Sequence, residues 1–582
     1  PYQHSRGAPL YRPLKIFTQD PAASKLEGSI ALINVPYEKL EPGPKGAIFE
    51  VDNYDGHQSN RKVDLDDPAI LIENGLEASP SNPRFHQQMV YAVCTMVYAG
   101  FRSALGRHAA WSFGDRLKIR PHVPNLANAY YDKDRGELIF GYYAAASEVV
   151  GRNLPGGIVF TCLSHDIVVH ECTHALLDGL RAQFTLPTGP DVLAFHEAFA
   201  DLMTVFQRFS YEKVVRVALR HSGGSLERAQ LLTDIAVQFA RTTKLKAALR
   251  TALDPSPYGK NNEPHALGSV LVSAIFEAFV TVYRRKTERY VRLATGGSGI
   301  LPPGALPHDL QDILAAEASR LASQFQSVCI RAIDYCPALD IEFGEYLRAL
   351  ITADYDLVPD DPWGYREALI DAFSRRKVYP RWVRSFGEDA LLWSSPTKPV
   401  PNASDLSFAK LQFEGDPFNV PGAEELKRQA CALGHIVTRP HFMEAFGLVR
   451  SGDPRLDGDP VDLPRVHSIR AARRVGPQGQ IVFDLVGEVT QRRRVGSQNG
   501  KPPFDFYGGA TVILGPEGEL RYVVSKSVVN KERLERQRKF LTEDGSRYWT
   551  VQNGKLTVQP QLFFNLHEEE GAGRRFLSDR NV

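Results

Sequence analysis

Cysteine is scarce: six in 582 residues, at Cys94, Cys162, Cys172, Cys329, Cys336 and Cys431. Such scatter excludes a disulfide framework. Only Cys329 and Cys336 lie close enough along the chain to bridge, and helical packing is the simpler account of them. A charge surplus is missing too. Lys and Arg number 69 against 68 Asp and Glu, a net charge of +1, so no global field attracts nucleic acid or an anionic membrane. The basic runs Arg492–Arg494 and Lys531–Lys539 are expected to be solvated faces. Pro1–Arg6 lacks an apolar run behind its charges, so no signal peptide is expected, and Pro1 in place of Met leaves a removed segment open. The one membrane-like stretch, Ala266–Tyr283, contains Glu277 and several small residues and is expected to be a core helix. Internal repeats and low-complexity tracts are absent. The expectation is a soluble protein, cytoplasmic in preference to secreted, with neither nucleic acid nor membrane insertion.

What is present suits a globular protein of two or three domains, with 43% apolar and 24% charged residues. Short strand-like runs such as Ala47–Val51 occupy residues 10–75, broken by Pro and Gly. A helix is expected over Phe85–Leu105, strands over Leu117–Tyr142, and helices over 308–377 beyond the loop Gly296–Pro307. Pro396–Asn402 reads as a linker stiffened by its prolines. Past it, Ile481–Val486 and Ala510–Leu514 are strand-like, with turns at Gly515–Gly518 and Asn553–Gly554. The expected division is a strand-rich 1–160, a helical 161–385, and a mostly β 404–582 without a catalytic motif.

His170-Glu171-Cys172-Thr173-His174 lies in a helical stretch. Residues four apart share a helix face, so His170 and His174 can offer two imidazoles to one zinc ion. Glu171 is then placed to take a proton from water at the metal. The alternative is a pair of inert, hydrogen-bonded core histidines. However, the flanks Ser164–Val169 and Ala175–Leu180 make a mostly buried helix, and burying two imidazoles with a carboxylate is costly without compensation. A catalytic zinc takes a third protein ligand and keeps a position for water. Glu197, in the apolar run Phe195–Met203 behind the breakers of Pro187–Asp191, is the candidate. Asp201, one turn on, is placed to accept the free N–H of His170 or His174. His196 is a rival ligand but faces away from the Glu197–Asp201 stripe. Cys172 falls opposite both histidines and is expected to be a buried thiol.

These residues resemble those of the thermolysin-like zinc metallopeptidases, the gluzincin class. Val169–Ala175 with Asp178 is similar to the family's first zinc helix, and Glu197–Asp201 to its second. Ala248–Pro255 resembles the segment carrying a substrate-binding arginine, here Arg250. Pro264–Ser269 resembles the segment holding the histidine that steadies the transition state, here His265. Asn128–Tyr131 resembles the edge-strand motif that binds the substrate backbone. The likeness runs over about residues 85 to 285. It implies an α+β, bilobed fold with a strand-rich N-terminal lobe and a helical C-terminal lobe, to which the strand-like runs beyond the linker add a mostly β C-terminal domain. It also implies one zinc per chain on His170, His174 and Glu197, with Glu171 as general base and His265 as oxyanion stabiliser. Arg250, Asn128 and Ala129 would contact a peptide or protein substrate. Ile167 and Leu249 fall where the family lines its pocket, so an apolar residue is expected after the scissile bond. Singly, Arg250 reads as a surface arginine, His265 as a loop histidine and Asn128 as a turn residue; beside the zinc helices the functional roles of Arg250 and His265 prevail. A non-peptide amide hydrolase and a catalytically silent zinc-binding protein remain alternatives, and intact Glu171 favours the enzyme.

The chain also departs from the family. The position of an oxyanion tyrosine is Thr185, with Tyr130 or Tyr131 as substitutes. The aspartate that orients the transition-state histidine falls on Lys260, with Asp254 or Glu263 as replacements. Asp166 matches a calcium ligand, but an expected glutamate is Arg208, whose charge would repel calcium, so no double calcium site is expected.

Overall fold

The computed structural model describes residues 9–559 except 22–27, 53–61, 115, 146–155, 227–231, 233, 236–249, 252–255, 302–305, 397–399, 414–419, 476–478, 498–499 and 553. The architecture is α+β with several sheets. Strands β1 (Tyr11–Phe17) and β2 (Ile30–Pro36) form an antiparallel ribbon. After β3 (Phe49–Val51) and the short α1 (Pro68–Ile72) comes α2 (Pro83–Leu105). Asn82 caps α2 by accepting from the Arg84 amide, Pro83 supplies its first turn, and Gly106, at φ 64°, ends it in the left-handed region.

A mixed sheet follows, built from β3, β4 (Leu117–Pro124), β5 (Ala129–Asp132), β6 (Glu137–Ala144) and β7 (Ile158–Phe160). Its order is β3-β4-β6-β5, with β7 added to β6. β4 runs parallel to β3 and β6, whereas β5 and β7 run antiparallel to β6. Among the described strands, β5 is paired on one side alone.

The helical part begins with α3 (His165–Leu180) and α4 (Pro190–Phe209), followed by α5 (Glu212–Ser222). The two-residue strands β8 (Asp234–Ile235) and β9 (Arg250–Thr251) pair with each other. Next come α6 (Pro264–Ala294), α7 (His308–Ala332), α8 (Phe343–Tyr355), α9 (Tyr365–Arg375) and α10 (Glu388–Leu391). α6 is long and apolar enough to cross a membrane by length and composition, but the apolar part is 78% buried among its neighbours. From Asp191 to Phe209, every residue of α4 is buried, so this helix is the centre of the packing.

Residues 404–558 contain strands and two further helices. α11 (Ala423–Val437) precedes the antiparallel sheet β10 (Arg465–Val475), β11 (Ile481–Val495), β12 (Phe504–Leu514) and β13 (Leu520–Lys526). α12 (Lys531–Thr542) and the hairpin β14 (Trp549–Gln552) and β15 (Lys555–Val558) close the described chain. Alternation along the strands gives the sheet two buried faces. Leu485, Val489 and Val512 pack with Leu433 of α11 in one core, whereas Val486 and Ile513 belong to the core shared with the helical part.

The basic runs are not simply solvated. Arg493 is buried, with Nε 2.8 Å from Asp459 and Nη2 donating to Leu456 O at 2.9 Å, because strand alternation turns it inward. Arg533 of α12 is likewise buried, 4.1 Å over the Phe506 ring. All six cysteines are free, including Cys329 and Cys336.

Candidate metal centre

α3 places His170 and His174 one turn apart, and α4 packs across it carrying Glu197 and Asp201. The two Nε2 atoms are 3.0 Å apart. Glu197 Oε2 lies 3.3 Å from His170 Nε2, and Glu197 Oε1 lies 3.6 Å from His174 Nε2. These three buried side chains could hold a metal ion.

Hydrogen bonding behind the rings prepares them for that. Asp201 Oδ1 is 2.9 Å from His170 Nδ1. A carboxylate only accepts, so Nδ1 carries the proton and Nε2 keeps its lone pair. His174 Nδ1 is 2.9 Å from His196 Nδ1, at the start of the same turn of α4 as Glu197. Burial pulls the His196 imidazole down to about 4, against the opposing pull of Asp178 and Glu197. A neutral His196 can accept the Nδ1–H of His174 and leave that Nε2 free as well. Three lone-pair donors then converge in a buried site, an arrangement that is costly unless a cation or proton sits among them.

Asp201 thus takes the place expected of it, on His170. His196 was a rival ligand on spacing; instead it backs His174. It faces away from Glu197 but still meets a partner, because α4 is buried on all sides.

His265 is the second residue of α6, with Nδ1 3.3 Å from Glu197 Oε2. A close helix crossing brings it there. A Cβ at Gly268 would stand 2.9 Å from Ala194 O and 3.3 Å from Ala198 N, so the absence of a side chain lets α6 lie against α4. Glu263 is used otherwise: its carboxylate caps α6 by accepting from the Ala266 amide at 2.8 Å. Asp254 and Leu249 lie outside the described residues. Arg250 has a described backbone in β9, but its side chain lies outside what the structure describes.

Glu171 is buried on α3 beside His170. Cys172 points away as expected, its Sγ 3.9 Å from Cys94 O. Asn128 precedes the edge strand β5 and is 3% exposed, and its side-chain amide nitrogen has no hydrogen-bond partner among the described residues. Ala129 opens β5, paired with Phe140.

Asp178 gathers several donors: Ser112 Oγ at 2.5 Å, Tyr131 OH at 3.0 Å and Lys133 Nζ at 2.6 Å. Tyr131 is therefore committed to Asp178. Thr185 accepts from Lys133 at 2.9 Å and donates to Ala182 O at 2.9 Å. Asp166 is paired with Arg208 and lies 3.5 Å from His165 Nδ1. Burial works against its charge, yet Arg208 and His165 hold the carboxyl well below the usual range.

No protein-family model matches the chain, and no curated protein matches it.

Proposed function

We propose that this chain is a zinc-dependent endopeptidase of thermolysin-like, bilobed fold. The observation carrying the proposal is the convergence of His170 Nε2, His174 Nε2 and a Glu197 oxygen, with Asp201 fixing the His170 tautomer. Two imidazoles and a carboxylate are a donor set of catalytic zinc sites. Zinc, when bound, supplies Lewis acidity that acidifies water and polarises a carbonyl.

The chain's own residues would do the remainder. Glu171, next to His170, takes the proton of the attacking water and returns it to the leaving amine. His265, held against Glu197 by the α6–α4 crossing, donates to the developing oxyanion. The edge strand β5 and the Asn128 amide align an extended peptide by strand addition. Arg250 supplies a planar fork for a substrate carbonyl beyond the scissile bond, and the half-buried Ile167 supports an apolar residue there.

The test is elemental analysis of protein purified without chelators, alongside casein cleavage with and without chelator. The expectation is chelator-sensitive cleavage, with Glu171→Gln abolishing hydrolysis and keeping its metal. Absence of metal overturns the proposal. Metal without hydrolysis points to a silent binding protein instead, a reading favoured by one observation: Thr185 and Tyr131 are both spent on the Asp178–Lys133 group.

A further inference from the structure

His86, His122 and Cys162 come from three distant segments and meet in the interior. His86 is on α2, His122 on β4, and Cys162 in the single 3-10 turn Thr161–Leu163 that leads from β7 into α3. All three side chains are buried, at 0%, 3% and 0% exposure. One ring nitrogen of each histidine and the cysteine sulfur lie within 4.8 Å of one another. His86 Nδ1 and His122 Nε2 are 2.9 Å apart, close to the 3.0 Å that separates the paired imidazole nitrogens of the first centre.

The tautomer of His86 is settled by its surroundings. Its Nε2 is 2.9 Å from Pro80 O. A carbonyl oxygen only accepts, so Nε2 carries the proton and Nδ1 presents a lone pair to the cluster. A metal-ligating histidine commonly donates its other N–H to a backbone carbonyl in this way. The Phe160 ring stands 4.6 Å from the His86 ring and 6.0 Å from the His122 ring, shielding both from water. A hydrogen bond between two neutral histidines would account for the nitrogens alone. It gives no role to a thiol held at the same point.

We propose that His86 Nδ1, His122 Nε2 and Cys162 Sγ form a second metal site for a thiophilic divalent transition ion of the zinc class, supplying three of its four tetrahedral positions. Two imidazoles and a thiolate suit zinc over magnesium or calcium, which take oxygen ligands. Tetrahedral zinc sets its nitrogen and sulfur donors about 3.3–3.7 Å apart, so binding draws the sulfur inward and parts the two nitrogens slightly. On binding, Cys162 gives up its thiol proton to solvent, His122 takes the Nδ1–H form, and neither histidine gains charge. Burial pushes the Cys162 thiol well above its ordinary value, so a metal is what turns it into thiolate. The bound ion would tie α2, β4 and the entry to α3 together, just ahead of the helix that carries His170 and His174. The site uses none of the proposed catalytic residues and stands whether or not the chain is a peptidase.

The test is titration of the metal-stripped full-length chain with Co(II), followed by elemental analysis. Thiolate bound to Co(II) gives a near-ultraviolet charge-transfer band, whereas a two-histidine, one-glutamate site gives none. The expected result is two cobalt ions per chain, with one thiolate band. The double variant His170→Ala/His174→Ala should keep one ion and the whole band. Cys162→Ser should lose the band and one ion. One ion with no thiolate band in the wild-type chain overturns the proposal. So does a band that disappears in the His170→Ala/His174→Ala variant, because the sulfur would then belong to the first centre. Both of these readings stand even where Cys162→Ser fails to fold.

Discussion

Asp201 Oδ1 lies 2.9 Å from His170 Nδ1, and that contact decides which nitrogen of the ring is left to a metal. Removing the carboxylate in Asp201→Ala frees the ring to take the other tautomer and to rotate. Metal affinity should fall about 10–100-fold, read by competition with a chromophoric chelator. Unchanged affinity would remove Asp201 from that role. Asp201 was legible because it sits one helical turn from Glu197, and one-turn spacing is what a sequence displays best. His196 was legible only as a residue off that stripe. Its contact with His174 depends on how α4 crosses α3, which no local pattern records. The same limit hid the cluster of His86, His122 and Cys162. Each of those is an ordinary core residue within its own element, and only the tertiary fold brings them together.

The helices were legible as elements from their apolar runs, Phe85–Leu105 for α2 and Ala266–Tyr283 for α6, and in the fold their ends are chemically marked. Asn82 and Pro83 open α2 and Gly106 closes it; Pro264 opens α6 behind the Glu263 cap. The closeness of α6 to α4 was not legible, since Gly268 inside a helical run looks like a mere loss of helix propensity. In the fold its bare α-carbon lets His265 reach 3.3 Å from Glu197 Oε2. Gly268→Val would force branched carbons against the backbone at Ala194 and Ala198, costing about 1–3 kcal/mol by overpacking. Moving α6 outward also withdraws His265 while His170, His174 and Glu197 stay together. The expected result is a lower melting temperature and a lower turnover, with metal content unchanged. Loss of the metal in a folded variant would show instead that α6 supports the metal ligands directly.

Buried arginines join the C-terminal sheet to α3, the helix of His170 and His174, and a neighbouring buried pair contributes stability on the acid side. Arg107 grips Asp334 through both guanidinium nitrogens at 2.7 Å. Burial alone would raise the Asp334 carboxyl, but Arg107, with Arg470 and Arg181 behind it, holds it at about 2. With a folded pKa below the ordinary carboxylate value, this group's stabilisation is present above about pH 4 and is lost as pH falls toward 2. The amount is about 2 kcal/mol. Asp334→Asn should therefore flatten the acid limb of a stability-versus-pH curve measured by denaturant unfolding, and an unchanged limb would contradict it. Beyond this pair, Arg181, which ends α3, donates to Thr511 Oγ1 of β12 at 3.0 Å and lies 3.1 Å from Glu488 of β11. Arg470 of β10 donates to Leu180 O at 2.7 Å, satisfying a carbonyl in the last turn of the same helix. Tyr522 OH donates to Asp356 at 2.7 Å, and Trp549 Nε1 donates to Pro187 O at 3.1 Å. Ile481–Val486 and Ala510–Leu514 could be read as strand-like, but the docking of the sheet could not, because the residues that make it, such as Arg181 and Arg470, are far apart in the chain and belong to no motif. Cutting the chain after residue 403 would bare the surface that Val486 and Ile513 cover and take Glu488 and Thr511 away from Arg181. The apolar face so exposed has no other cover among the described residues. Residues 1–403 alone are expected to be insoluble or to lack a cooperative thermal transition by circular dichroism. A soluble, cooperatively melting 1–403 that still bound metal at His170 and His174 would show that the sheet is an accessory to α3 and not a support for it.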